Sequence, residues 1–233
     1  MSNGVGKRFY PRALAVVPAL LVVAFGAAAP GNAASPEWKL STSKDGVELY
    51  LRAAPGSEFP RMRATGTVCA SMELLTDYLQ DAARFHEWIP DTVRAAMLAE
   101  PSANERIFYL VTDMPWPLKD RDMVYRLVRS GGTEARGEIT IGMDGVPDYI
   151  PPIGDLVRIQ SVEGSWHFVE QDGRTRIELE MHMEPGGNIK PWLANRRIGA
   201  MVAGMLANLR RIYEPGCRAQ VGEVIEHAGA DSR

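Results

Sequence analysis

Most of the chain between Trp38 and Glu184 shows the alternation of apolar and polar residues that is typical of β-strands. The clearest example is the segment 175–184, because its odd positions from Ile177 to Met183 are apolar and its even positions are charged or histidine. Alternate side chains of a strand point to opposite faces. The pattern therefore predicts a sheet with one solvated face and one buried face, which must pack against another element.

Ten segments of the chain are predicted to be strands. Turn signals such as Asp45-Gly46 and Asp172-Gly173 separate several of them, and short connections favour antiparallel pairing of neighbours. The connection at residues 143–155 is rich in proline and glycine and too long for a tight turn, so it is either a lid or a rim. The predicted strands are residues 38–42, 47–52, 62–69, 93–99, 106–112, 122–129, 134–141, 156–162, 165–170 and 175–184.

Two helical regions are predicted. Ser71 is a suitable N-cap for a short helix that ends or bends before Ile89-Pro90. A longer amphipathic helix is predicted over residues 191–213, with Pro191 in its first turn and apolar residues every three or four positions. It would span roughly 30 Å, enough to cross a sheet. Pro215-Gly216 is expected to end it, so that residues 214–233 form a flexible tail.

Gly199 and Gly204 lie inside the long predicted helix, where each costs about 1 kcal/mol relative to alanine. Their presence indicates that something approaches the helix backbone closely. Two interpretations are open. The helix packs closely on a strand, or it covers a cavity that Met201 and Met205 face.

Together these patterns predict an α+β protein in which a curved antiparallel sheet wraps around the C-terminal helix. The inward positions are apolar and rich in methionine, which suits a lipid-like ligand of variable shape and equally an irregular core. The predicted ligand-binding residues are Phe108, Leu110, Met123, Tyr125, Leu127, Ile177, Leu179, Met181, Met183, Ile198, Met201 and Met205.

The N-terminus has the pattern of a secretory signal peptide. Lys7, Arg8 and Arg12 precede an apolar run at residues 13–29, and small residues follow with a cut expected after Ala33 or Ala34. The run is shorter than the ~20 residues of a spanning helix, so an uncleaved anchor is the weaker alternative. The mature protein is expected in the periplasm or outside the cell.

The charge balance argues against binding of nucleic acid. Of 233 residues, 26 are lysine or arginine and 29 are aspartate or glutamate, and loss of the signal peptide leaves 23 basic residues against the 29 acidic ones. A mildly acidic protein binds polyanions poorly.

The two cysteines, Cys69 and Cys217, are expected to be free thiols, with a disulfide as the alternative that sequence alone does not establish.

No arrangement of residues typical of an enzyme is found. The histidines lack the HExxH spacing, and no G-x-S-x-G, Walker or G-x-G-x-x-G motif occurs. His167 is the candidate for an inward polar group, although a surface or hydrogen-bonded histidine is the favoured interpretation. We therefore predict no catalytic residues, no metal and no cofactor.

Charged and aromatic residues precede the predicted strand at 122–129. In the cluster Asp120, Arg121 and Asp122, alternation places the aspartates on one side and Arg121 on the other. We expect these residues to fix the loop through ion pairs and backbone hydrogen bonds. Trp116 either seals the sheet edge, which we favour, or touches a membrane. Arg196 and Arg197, near the helix start, are expected to form a solvated face rather than to bind a lipid phosphate.

Residues 115–122, PWPLKDRD, resemble the segment of START domains, the StAR-related lipid-transfer family, that leads into a central strand. Further matches in the family's order are FHEW at 85–88, EPGG at 184–187, PWLAN at 191–195 and Leu209-Arg210. The resemblance covers residues 36–213. It implies a helix-grip fold, in which the sheet grips the C-terminal helix over a tunnel for one sterol, phospholipid or other hydrophobic molecule. Together with the signal peptide pattern, this predicts a bacterial exported member of the family.

The chain departs from the family pattern in two places. The family's leading helix has no counterpart before Trp38. Sterol-binding members bury a carboxylate and an arginine beside the matched motif, and the corresponding positions here are Phe108 and Leu127. This difference favours an acyl-chain ligand over a sterol.

The sequence thus predicts a monomeric, exported domain that binds a lipid or other hydrophobic small molecule and carries or senses it, with transient membrane contact. One alternative is an enzyme, such as a hydrolase or cyclase, that acts on a hydrophobic substrate in the same cavity. The other alternative is a non-binding interaction module with a filled core.

Overall fold

The structure is a computed structural model that describes residues 36–133 and 137–230. The predicted signal peptide lies outside the described residues. The strands are β1 Lys39–Lys44, β2 Val47–Arg52, β3 Arg61–Val68, β4 Thr92–Ser102, β5 Glu105–Thr112, β6 Arg121–Thr133, β7 Glu138–Gly145, β8 Val157–Arg158, β9 Ser161–Gln171 and β10 Arg174–Glu184. The helices are α1 Met72–Leu79, α2 Phe85–Trp88 and α3 Pro191–Ala230, and a 3-10 turn, Ala82–Arg84, joins α1 to α2.

The ten strands form one curved sheet in the order β1-β2-β3-β10-β9-β7-β6-β5-β4, with β8 beside β6. All neighbouring pairs are antiparallel except β6 and β8, which run parallel. Two tight hairpins use Asp-Gly turns, because both residues adopt positive φ at Asp45-Gly46 and at Asp172-Gly173. The predicted α+β fold, its antiparallel sheet and its long C-terminal helix are confirmed.

The two faces of the sheet bury different sets of side chains. The inner face packs under α3, whose Val202, Leu206 and Leu209 are fully buried against it. On the outer face a smaller cluster around Tyr109 and Val124 is covered by side chains of the segment 146–156. The long connection thus covers the outer face of the sheet.

Two predictions about the C-terminal region are wrong. Helix α3 continues past Pro215 to Ala230 instead of ending at Pro215-Gly216. Cys69 and Cys217 form a disulfide, with Cα atoms 5.2 Å apart, instead of remaining free thiols. The reason for both lies in tertiary contacts: Tyr213 packs edge-on against Tyr78 before the proline, and the disulfide holds the helix after it. Flexibility of residues 214–233 stays a prediction.

Among the described residues, no helix combines the length and the apolar character that crossing a membrane requires.

Candidate functional site

Two adjoining cavities lie between the sheet and the N-terminal half of α3. The inner cavity has a volume of about 30 Å³ and the outer one, here called the mouth, about 60 Å³. They share four lining residues: Leu110, Met123, Met183 and Met201. The mouth extends to the exposed residues Asp91 and Asp113, and the shared methionines and leucine lie between the mouth and the inner cavity.

Most of the predicted ligand-binding residues line these cavities. They contribute from strands β5, β6 and β10 and from α3. The residues at the cavity walls are Leu110, Met123, Tyr125, Leu127, Leu179, Met181, Met183, Ile198, Met201 and Met205. Their contact with a ligand stays a prediction.

The other two predicted residues, Phe108 and Ile177, are fully buried but are not among the residues that line either cavity. The Phe108 ring lies 5.1 Å from the Phe85 ring and 5.7 Å from the Tyr125 ring, so it fills the core behind the wall. Strand alternation identifies the inward face, but it does not show which inward side chains are covered by others.

Several wall residues were not predicted. Trp88 of α2 and Trp166 of β9 line the inner cavity, with ring centroids 5.8 Å apart in an edge-on arrangement. Trp88 belongs to the FHEW motif, which was the signal that could have placed it there. Leu79, Ile89, Ile141 and Met143 complete the apolar wall.

The cavities are small compared with a lipid. Each holds at most a few water molecules. Their walls, however, include Met123, Met143, Met181, Met183, Met201 and Met205, and methionine side chains change rotamer easily because they are unbranched. A ligand with an acyl chain therefore requires these side chains, or the helix above them, to move.

Few polar atoms face the inner cavity. The indole Nε1 of Trp88 is buried and has no hydrogen-bond partner among the described residues. Burial raises the pKa of Tyr125, so its hydroxyl stays protonated at neutral pH. Gln80 is already bonded, since its Nε2 donates to the Thr76 carbonyl at 2.8 Å and its Oε1 accepts from Arg106. The inner cavity is thus apolar, and the unpaired Nε1 of Trp88 is covered by neighbouring atoms.

The mouth is bounded by α3 and by the segment 113–120. An ion pair joins Arg197 of α3 to Asp91, with Nη2 and Oδ2 3.1 Å apart.

Trp116, in the segment 113–120, is 92% exposed, so the prediction that it seals the sheet edge is wrong. The Trp116-Pro117 peptide bond is cis. The segment 146–156 lines neither cavity, because it packs on the outer face.

The predicted loop-fixing role of the charged cluster is confirmed for all three residues, since Arg121 donates from Nη1 to the Lys119 carbonyl and both aspartates accept hydrogen bonds. Asp120 accepts a hydrogen bond from the backbone N–H of Met114 at 3.0 Å. Asp122 accepts two from the guanidinium of Arg158, at 3.0 and 2.8 Å, and this pair is buried. Such bidentate pairs fix geometry strongly. The cluster therefore shapes the chain on both sides of the start of β6.

The helix glycines pack closely on other elements. A Cβ at Gly204 would lie 2.7 Å from Pro90 Cγ, and one at Gly199 would lie 3.3 Å from Leu49 Cδ2. Both interpretations of the glycines therefore hold. Gly199 and Gly204 pack closely on neighbouring elements, and Met201 and Met205 of the same helix line the inner cavity.

The one histidine considered as an inward group lies on the surface. His167 is 41% exposed, and its Nε2 is 2.9 Å from the Glu138 carboxylate, away from both cavities. Within the ranges 36–133 and 137–230, no cluster of three metal-ligating side chains is present. The described cavities thus contain no histidine–carboxylate pair.

An antiparallel sheet that grips a C-terminal helix over an apolar cavity defines a helix-grip fold. Comparison with known proteins identifies the family. The START domain family model matches residues 29–141. A STAR-related lipid transfer protein from Xanthomonas axonopodis is 31% identical with a TM-score of 0.70, and the match covers 76% of this chain and 98% of that one. The chain belongs to the StAR-related lipid-transfer family.

Two further relatives agree with this assignment. An uncharacterized protein of Pseudomonas aeruginosa is 29% identical over 196 residues, which are 84% of this chain and 95% of that protein. The human StarD13 lipid transfer and protein localization domain is 18% identical with a TM-score of 0.67, covering 77% of this chain and 90% of that one, and it shows the shared fold.

Proposed function

We propose that the chain binds a lipid or similar hydrophobic molecule beneath α3 and carries or senses it outside the cytoplasm. The observation that carries the proposal is the methionine-lined inner cavity that adjoins a mouth beside exposed residues. Each CH2 group kept out of water contributes about 0.8 kcal/mol, so a dry apolar site can compete with a membrane for an acyl chain. The Xanthomonas relative, named as a lipid transfer protein, supports the same function.

The test is to ask what accompanies the protein through purification. Native mass spectrometry and solvent extraction should reveal a noncovalently bound apolar molecule, or uptake of one after incubation with mixed-lipid vesicles. A protein that carries nothing and takes up nothing would contradict the proposal. Fractionation of the producing cells tests the export part, since a cleaved protein in the periplasm or medium is expected.

Membrane contact at the mouth is part of the proposal. Trp116 and Trp192 are 92% and 64% exposed and lie on the two segments that carry the mouth residues Met114 and Ala194. Exposed tryptophans insert readily at the membrane–water interface. The double substitution Trp116→Ala and Trp192→Ala should reduce sedimentation with vesicles several-fold. Tyr149→Ala, an exposed aromatic on the outer-face segment, is the matched control and should bind like the native protein.

A non-binding interaction module is the second candidate function, and the small cavity volumes favour it. The uptake experiment separates the two, because a filled core excludes every apolar probe. We favour a binding protein over an enzyme, since the one candidate catalytic histidine pairs with Glu138 on the surface.

A further inference from the structure

Arg121, the first residue of β6, is an unusual wall residue of the mouth. Its side chain is inside the protein, with the residue only 4% exposed. Its Nη1 donates to the Lys119 carbonyl, and the side chain makes no other hydrogen bond to the described part of the chain. The Nε is buried and has no partner there. The guanidinium is therefore largely removed from water without being neutralised.

The neighbouring Arg158 shows how this fold satisfies a buried arginine that has a structural role. Its guanidinium donates to both oxygens of Asp122, at 3.0 and 2.8 Å, and to the Ile150 carbonyl at 3.0 Å. The two arginines differ in burial by little, 7% against 4% exposed. They differ in partners completely, because Arg158 has a carboxylate and Arg121 has none.

The carboxylates near the mouth do not neutralise Arg121. Burial lowers the pKa of Arg121, and the charge of Asp120 opposes that shift without forming an ion pair. The Asp120 carboxylate accepts the Met114 N–H, Asp91 is paired with Arg197, and Asp113 lies exposed on the rim. Among residues 36–133 and 137–230, Arg121 makes no salt bridge.

A buried charge without a counter-ion is costly, and one partner of the right charge removes much of that cost. Arg121 lies beside the apolar wall formed by Leu110, Met123 and Met201. An anionic group at the mouth would meet the guanidinium while a chain attached to it entered the inner cavity. We infer that the ligand is an anionic amphiphile, and that Arg121 binds its carboxylate or phosphate group. This inference rests on the proposed function.

The test compares two probes that share a chain and differ in charge. Dodecanoate and dodecan-1-ol are titrated at neutral pH, below their aggregation limits, into the native protein and its variants. A hydrogen bond between two charged groups is stronger than one to a neutral hydroxyl. The native protein should therefore bind dodecanoate roughly tenfold or more tightly than dodecanol. Arg121→Gln should bind the two within about twofold of each other, and Arg121→Lys should keep most of the preference.

Arg126→Gln is the matched control, because Arg126 lies on the same strand, pairs with Glu105 and Asp144, and lines neither cavity. It should keep the full preference. Thermal unfolding gives a second readout. Arg121→Gln should change the melting temperature little, since the lost hydrogen bond to the Lys119 carbonyl is offset by removal of a charge that the unliganded protein does not neutralise.

The possible results separate this inference from the proposed function. Equal binding of both probes by the native protein, or a preference that survives in Arg121→Gln, overturns the inference and leaves hydrophobic binding in place. If neither probe binds, both proposals fail. Acetate and inorganic phosphate test a free anion. If either binds as tightly as dodecanoate, the site recognises an ion without a chain, and the amphiphile is excluded.

Discussion

The two ends of the sheet-packed part of α3 differ in how firmly they are held. Toward the C-terminus, Leu206 and Leu209 are fully buried, and Arg210 donates to the carbonyls of Asp45 and Thr67. The disulfide of Cys217 follows. Toward the N-terminus, Met201 is only partly buried beside the cavities, and the Arg197–Asp91 ion pair is accessible to water.

This difference indicates where the fold can open. Fully packed aliphatic side chains and bonded backbone carbonyls resist separation, whereas a surface ion pair contributes on the order of 0–1 kcal/mol. A small outward movement of the first turns of α3, about a fixed C-terminal half, would widen the mouth and leave the rest of the fold intact. The comparison therefore predicts strong effects on stability at one end and effects on ligand exchange at the other.

The largest expected effect is at the fixed end. Leu209→Ala removes a fully buried side chain from the contact between α3 and the sheet, and should lower the free energy of unfolding by about 3 kcal/mol. Met201→Ala, at the other end, should cost only about 1 kcal/mol, because its side chain is only partly buried and loses fewer packing contacts. Urea denaturation of both variants measures the difference. Equal losses of unfolding free energy in the two variants would contradict the difference between the C-terminal and N-terminal ends of the sheet-packed part of α3.

The glycines give an intermediate effect. At Gly204 an added methyl group would lie 2.7 Å from the rigid ring of Pro90, so the overpacking outweighs the gain in helix propensity and Gly204→Ala should lose about 1 kcal/mol. At Gly199 the nearest atom, 3.3 Å away, is the end of the Leu49 side chain, which can rotate. Gly199→Ala should be neutral or slightly stabilising in thermal unfolding. The reverse order would show that the Pro90 contact is not rigid.

The smallest effect on stability is expected at the ion pair across the mouth. Asp91→Asn keeps a residue type that tolerates the positive φ of 60° at this position but removes the attraction to Arg197. The free energy of unfolding should change by less than about 0.5 kcal/mol. Stopped-flow uptake of a fluorescent fatty acid should become a few-fold faster. Asp113→Asn, on the same rim, should leave the rate unchanged, and a slower rate in Asp91→Asn would contradict the opening at this end.

Local patterns predicted the antiparallel sheet and the inner face of its strands, but not every detail. His182, predicted on the solvated face, is only 9% exposed, and one strand, β9, spans residues 161–171 where two separate strands, 156–162 and 165–170, were predicted. The two-residue period of the segment 175–184 placed Leu179, Met181 and Met183 on the inner face correctly, and Pro191 marked the first residue of α3. The Asp45-Gly46 turn correctly predicted the hairpin of β1 and β2, because a tight turn depends on only a few neighbouring residues.

The features that were missed depend on contacts between distant parts of the chain. The disulfide joins residues 148 positions apart. Helix α3 continues through Pro215, where it contacts Tyr78 through Tyr213 and is bonded to Cys69 through Cys217. Trp88 reaches the cavity wall through the position of α2, and Phe108 is excluded from the wall by the rings around it. Neither outcome can be predicted from the period of a single strand.

The most direct measurement of the central claim is uptake of a fluorescent fatty acid by the native protein and two matched Met→Trp variants. Met201→Trp fills the space shared by the two cavities, whereas Met97→Trp places the same side chain on the exposed part of the edge strand β4. Both variants should show native circular dichroism. We expect Met97→Trp to bind the fatty acid like the native protein and Met201→Trp to bind it roughly tenfold or more weakly. Equal binding by Met201→Trp would contradict a ligand site beneath α3.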